Sequence, residues 1–120
     1  MKISFDYDGV LARSDWQVVA ASLVLDGHEV YVLTARCAEQ GGRVREAARR
    51  IDVPTDRVLF TCNRDKWETV DSEGIELHYD DNAEQLALIA ENTDAVGVNV
   101  DEVDAVEALQ DLDAQEGPND

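Results

Sequence analysis

Short apolar runs alternate with amphipathic stretches along the whole chain. The runs KISFD (2–6), EVYVLT (29–34), RVLFT (57–61), IELHY (75–79) and AVGVNV (95–100) are rich in β-branched and aromatic residues and read as strands. The stretches between them repeat apolar positions at helical spacing and predict helices at about 15–26, 39–51, 65–73, 82–92 and 102–112. Asp15 and Asp65 are expected to cap the first and third helices, while Gly27 and Gly74 stand where a left-handed residue would end a helix. Strands that alternate with helices build βαβ units. The expectation is an α/β, three-layer Rossmann-like core: a five-stranded, mostly parallel sheet with helices on both faces. One domain over 1–113 and a flexible acidic tail over 114–120 complete it.

A parallel sheet gathers the residues just past each strand along one edge, where open α/β folds bind ligands. Here Asp6 and Asp8 follow the first strand, Thr34, Ala35 and Arg36 the second, and Lys66 comes a few residues past the third. Asp80, Asp81 and Asn82 close the fourth. Crowding the carboxylates of Asp6, Asp8, Asp80 and Asp81 into one cleft is costly. Two such charges about 4 Å apart repel by about 4 kcal/mol at an effective dielectric near 20. A cation is therefore expected among them, and an all-oxygen donor set suits Mg²⁺ completed by a phosphate. Thr34 offers a hydroxyl to a phosphoryl oxygen, and Lys66 offers a fixed positive charge. An Asp pair alone means little in a chain so rich in Asp; Thr34 alone could end a strand, and Arg36 could be a surface charge. Four strand ends carrying the right groups in order give the pattern its weight.

Composition changes the picture in one respect. Asp and Glu number 27 against 10 Lys and Arg, a formal net charge of −17. Such a surface repels itself unless salt screens it, so a high-salt setting is expected, with an ordinary acidic protein as the alternative. The melting temperature should rise as KCl approaches molar concentration, and a flat profile would exclude this. The same charge argues against unspecific nucleic-acid binding, which draws on Lys and Arg neutralising phosphate. No apolar run is long enough to span a bilayer, and the first residues have no signal-peptide anatomy. A cytoplasmic protein is the expectation. Cys37 and Cys62 lack metal-ligand spacing and are expected as free thiols, buried or half-buried, although the sequence leaves a disulfide open. His28 reads as a turn residue, Trp16 and Trp67 as core, and His78 shares a strand face with Asp80 two residues on.

The motifs FDYDGVL, VYVLTAR, NRDKWETV and LHYDDN, in that order over residues 2–82, resemble the four motifs of the haloacid-dehalogenase-like (HAD) hydrolases. The resemblance implies a phosphatase in which Asp6 is the nucleophile and forms an aspartyl-phosphate, and Asp8 is the general acid and base. It implies Mg²⁺ held by Asp6, Asp80 and the backbone carbonyl of Asp8, with Asp81 supporting. It also implies a phosphate bound by Thr34 and Lys66. The substrate would be a small phosphorylated molecule, a nucleotide among the candidates. Residues 9–14 and 35–65 leave no room for a cap domain or a full flap, so the site should be open. Two alternatives remain at this level. One is a non-catalytic module that keeps the fold to bind phosphate or a partner. The other is a receiver-like signalling domain, disfavoured because its acceptor Asp would follow the third strand, where this chain has Thr61 and Cys62.

Overall fold

The computed structural model describes residues 1–115. Five strands, β1 (Lys2–Phe5), β2 (Glu29–Thr34), β3 (Val58–Phe60), β4 (Leu77–Asp80) and β5 (Val96–Asn99), form one sheet in the order β3-β2-β1-β4-β5. Every neighbouring pair is parallel, so the expected α/β Rossmann-like architecture is the one observed. Five helices connect or follow the strands: α1 (Ser14–Leu25), α2 (Gly42–Arg50), α3 (Trp67–Glu73), α4 (Ala83–Asn92) and α5 (Ala105–Gln115). The last helix runs past the expected domain boundary at 113, and the rest of the expected tail lies outside the described residues. No helix among the described residues is long and apolar enough to cross a membrane.

Strand periodicity sorts the core into two layers, because successive side chains leave opposite faces of a sheet. Ile3, Phe5, Val30, Val32, Val58, Leu77 and Tyr79 face α1, α2 and α5 and build the larger cluster with Trp16, Leu23, Val44 and Ala48. The Phe5 and Tyr79 rings stack at 4.7 Å across the β1–β4 pair, and the fully buried Trp16 tilts against Tyr79. The opposite face carries Tyr31 and Leu33, which pack with Val70, Ile75, Ile89 and the half-buried Trp67 under α3 and α4. At the centre of this second face stand Ser4 and His78, both fully buried.

The helix ends separate what local sequence determines from what tertiary contacts override. Gly27 (φ 92°) and Gly74 (φ 70°) adopt the left-handed conformation expected of them. The two Asp caps are corrected. The first helix begins at Ser14 with Arg13 at the cap position, and Asp15 lies in the first turn, accepting from its neighbour's Trp16 N–H at 2.9 Å and from Arg13 Nη2 at 2.9 Å. The third helix begins only at Trp67, with Lys66 at the cap position. Asp65 instead accepts from Gln85 Nε2 at 3.2 Å, and that contact fixes the loop before the helix. His28 is a turn residue as expected, buried between α1 and β2.

Candidate active site

The strand order reverses direction around β1. Chain order runs outward from β1 through β2 to β3 on one side, and through β4 to β5 on the other. The crevice at such a switch point is where open α/β sheets bind ligands. Phe5 pairs with Tyr79 in register, so Asp6 and Asp80 emerge side by side at this point. The Asp6 backbone N–H continues the ladder by donating to the Tyr79 carbonyl at 2.9 Å. Beyond Asp6 the chain turns tightly, with Leu11 N–H donating to the Asp6 carbonyl and Ala12 N–H to the Tyr7 carbonyl at 3.1 and 2.9 Å. Gly9 makes this turn possible. Its φ is 78°, and a Cβ there would overlap the Asp81 carboxylate, so the turn and the acidic loop after β4 are in direct apposition.

Three carboxylates meet in the crevice. Ligand oxygens of Asp6, Asp80 and Asp81 lie within 4.8 Å of one another. Asp6 and Asp80 are buried, whereas Asp81 is exposed at the mouth. Lys66 is buried with them, its ammonium 3.0 Å from Asp6 Oδ1 and 2.7 Å from Asp80 Oδ2. Its backbone is held as well, the N–H donating to Gln85 Oε1 at 2.9 Å. Asp80 accepts further from His78 Nε2 at 2.8 Å and from the Asn82 N–H at 3.1 Å, and Ser4 Oγ lies 2.6 Å from His78 Nδ1.

Burial sets the charge states. It pushes the Asp6 carboxyl up to about 8, a rise that Lys66 opposes and the Asp80 charge reinforces. Burial also tends to raise Asp80, but the His78 and Lys66 donors outweigh it and hold that carboxyl below its ordinary value. Lys66 resists its own burial because Asp6 and Asp80 flank it, and its pKa ends up raised. Burial pushes His78 down, so the ring is neutral. Asp81 is pushed up by burial and by Asp80. Once Asp6 ionises, one ammonium faces three carboxylates and the cluster is short of positive charge. Carboxylate oxygens are the donors that hard cations take, and Asp6, Asp80 and Asp81 are the side chains that could hold one after a small adjustment.

A pH experiment reads this shortage directly. The native Asp6 carboxyl titrates near 8 against an ordinary value of 3.8. The native state therefore binds the extra proton between those limits, and stability falls as pH rises through the window. In EDTA the melting temperature should drop between pH 5 and pH 8. Mg²⁺ should restore it at pH 8, and Asp6→Asn should flatten the drop. An unchanged pH slope in the variant would contradict the assignment.

The remaining expected residues lie outside the three-carboxylate cluster. Thr34 is fully buried, and its Oγ1 accepts from the Arg36 N–H at 3.2 Å. Ala35 is exposed, and its carbonyl accepts from the Asn63 N–H at 2.8 Å. Asp8 is exposed and its carboxylate stands outside the three-carboxylate cluster. Arg36 grips it with two parallel bonds, Nε to Oδ2 at 3.0 Å and Nη2 to Oδ1 at 2.8 Å, while the guanidinium lies 5.0 Å from the Tyr7 ring centre. The structure thus brings Asp6, Lys66, Asp80 and Asp81 together, whereas Asp8 pairs with Arg36 outside that cluster.

The cysteines require a correction. Cys37 and Cys62 form a disulfide, with Cα atoms 4.1 Å apart and Cys62 exposed. Their separation of 25 residues gives no hint of it. The pairing follows from topology, because β2 and β3 are parallel neighbours and the loops after them run together. Thr61, Cys62 and Asn63 N–H groups donate to the carbonyls of Thr34, Arg36 and Ala35. The disulfide thus ties the loop bearing Arg36 to the loop leading to Lys66.

Ser4 and Gln85 were not legible as site residues. Ser4 had one signal, a lone polar position between Ile3 and Phe5 in a strand otherwise buried. Gln85 had none, since a Gln in the first turns of a helix is ordinary.

No family model, no curated protein and no solved structure matches this chain. Its chemistry rests on the residues of the crevice themselves. These offer a buried carboxylate beside an ammonium, a hard-cation donor set and a second carboxylate two residues on at the surface. An arginine, Arg36, is paired with that second carboxylate.

Proposed function

We propose that the chain is a Mg²⁺-dependent phosphomonoesterase of the HAD-like type, acting on a small phosphorylated substrate through an aspartyl-phosphate on Asp6. The observation that carries this reading is the buried Asp6–Lys66–Asp80 arrangement at the switch point, with Asp81 completing three carboxylates within 4.8 Å. Two buried carboxylates that share one ammonium support the reading, and Asp81 adds a third donor at the mouth.

The reaction is the two-step transfer that the HAD-like motifs imply, assigned to these groups. An Asp6 oxygen attacks phosphorus, and the bond to the leaving oxygen breaks as Asp8, freed from Arg36 and protonated from solvent, passes that proton to it. Asp8 then takes a proton from water, whose oxygen attacks the phosphorus of the aspartyl-phosphate and releases phosphate and free Asp6. Lys66 keeps Asp6 close to ionisation and stabilises charge on the transferred group, together with the Thr34 hydroxyl and the backbone at Ala35. Bound Mg²⁺ would supply the missing positive charge for the carboxylates and the phosphoryl oxygens. Asp8 is released when Arg36 exchanges its carboxylate for the arriving phosphate, the same bidentate geometry serving both anions. Residues 9–14 and 35–65 hold only the tight turn, the start of α1, two single turns of 3-10 helix, α2, β3 and short loops, which supports an open, capless site.

The strand order counts against a receiver. Receivers share the flavodoxin-like order 2-1-3-4-5, and this sheet runs 3-2-1-4-5. A non-catalytic binding module is the second reading, favoured by one observation, the Arg36 fork that holds Asp8 away from the three carboxylates. A phosphomonoester panel with Mg²⁺ at low and high salt separates the two. Metal-dependent release of phosphate is expected. Mg²⁺ binding with no turnover across the panel would transfer the conclusion to the binding module.

A further inference from the structure

We propose that His78, held by Ser4, is the positioning residue that aims one oxygen of Asp80 at the cation, an inference that rests on the metal-site reading above. Ser4 and His78 are register partners on β1 and β4, and Ser4, His78 and Asp80 are all fully buried. The contacts fix every proton in the row. An ionised carboxylate only accepts, so His78 Nε2 carries a hydrogen and donates to Asp80 Oδ2 at 2.8 Å. A neutral ring with its hydrogen on Nε2 has an accepting Nδ1, and Ser4 Oγ donates to it at 2.6 Å.

The consequence lies in the lone pairs of Asp80. Oδ2 takes two donors, His78 Nε2 and Lys66 Nζ at 2.7 Å, and is filled. Oδ1 takes one, the Asn82 N–H at 3.1 Å, and keeps a lone pair for the site shared with Asp6 and Asp81. Removing the imidazole donor leaves Oδ2 held by Lys66 alone and lets the carboxylate rotate about its bond to Cβ. The plain alternative is a core histidine that merely satisfies its own hydrogen bonds. That role is ill suited to this face, where the neighbouring side chains are Tyr31, Leu33, Val70, Ile75 and Ile89 and an apolar pair at positions 4 and 78 would pack without any polar burial. Partners that orient a ligating group through its second atom typically govern metal affinity by about 10- to 100-fold.

Two amide substitutions separate the roles. In His78→Gln the side-chain nitrogen falls where imidazole Nε2 stood and keeps the donor to Asp80. In His78→Asn it falls where Nδ1 stood, facing Ser4. Mg²⁺ alone is titrated calorimetrically into the full chain, with melting curves in EDTA to verify folding. His78→Asn should weaken binding by about 10- to 100-fold, and His78→Gln should stay within about threefold of wild type. Ser4→Ala, which frees the tautomer, should weaken it by about 3- to 10-fold, the worth of one ordinary hydrogen bond. An affinity for His78→Asn equal to wild type, or an equal loss in His78→Gln, overturns the assignment. If His78→Asn does not fold, Ser4→Ala decides, and an unchanged affinity there overturns it equally. Wild type that binds no Mg²⁺ removes the metal-site reading and this inference together, whereas wild-type binding indifferent to all three substitutions removes this inference alone.

Discussion

Replacing Asp6 by Asn is expected to cut phosphomonoester hydrolysis by about 10³-fold or more while the fold is retained. Asn has nearly the shape of Asp, so the β1–β4 ladder and the turn over Tyr7–Leu11 need not move. What disappears is the nucleophilic oxygen and its charge. The backbone of residue 6 still donates to Tyr79 and accepts from Leu11, which keeps the local structure in place. The metal-free variant should even melt higher than wild type at pH 8, because the buried carboxyl that is pushed up to about 8 no longer has to ionise. Rate and stability therefore move in opposite directions, a signature that misfolding cannot mimic. Steady-state hydrolysis of an aryl phosphate, measured beside a thermal melt, checks both. A variant that keeps a tenth of wild-type activity would remove Asp6 from the covalent step.

Lys66→Met is the second large expected effect, and here stability and activity fall together. Lys66 is the one ammonium within salt-bridge distance of Asp6 and Asp80 among the described residues. Its loss strands two buried carboxylates beside a neutral imidazole. Breaking a buried pair from one side typically costs about 3–5 kcal/mol. That is a large share of the roughly 5–15 kcal/mol that holds a typical domain folded. The loss should be smaller at pH 5, where Asp6 is already protonated in wild type and variant alike, and smaller with Mg²⁺ present. Lys66→Arg should not rescue activity, because a planar fork cannot occupy the compact gap between Asp6 and Asp80. Urea denaturation at pH 5 and pH 8 measures the effect. A loss below about 1 kcal/mol, the size of an exposed pair, would show that the carboxylates are compensated by something other than Lys66.

Much of this arrangement was legible because strands and helices announce themselves by period. The alternation of Ile3, Ser4, Phe5 and of Val30 through Leu33 specifies which face each side chain takes, and Gly27 and Gly74 end helices through backbone freedom that no neighbour overrides. The acidic residues at strand ends were legible for the same reason, since a parallel sheet collects them at one edge whatever the strand order. Contacts made across loops were not. Asp65 reads as a helix cap until Gln85, on another element, engages it. Cys37 and Cys62 read as separate thiols until β2 and β3 are known to be neighbours. The Arg36 grip on Asp8 joins two loops whose approach is set by the β1–β2 pairing, and no spacing in the sequence encodes it.

The central position of β1 also governs the order in which the molecule can be completed. β2 and β3 are supplied by residue 60, and they build out from one side of β1 only. Its other side stays open until Leu77–Asp80 arrives to pair with it. During synthesis the half-sheet therefore presents the free backbone edge of an apolar strand, the kind of edge on which chains stick to one another. The segment that closes this edge is the same one that delivers His78 and Asp80. Covering the open side of β1 and completing the acidic crevice around Asp6 and Lys66 therefore fall to the same short stretch of chain.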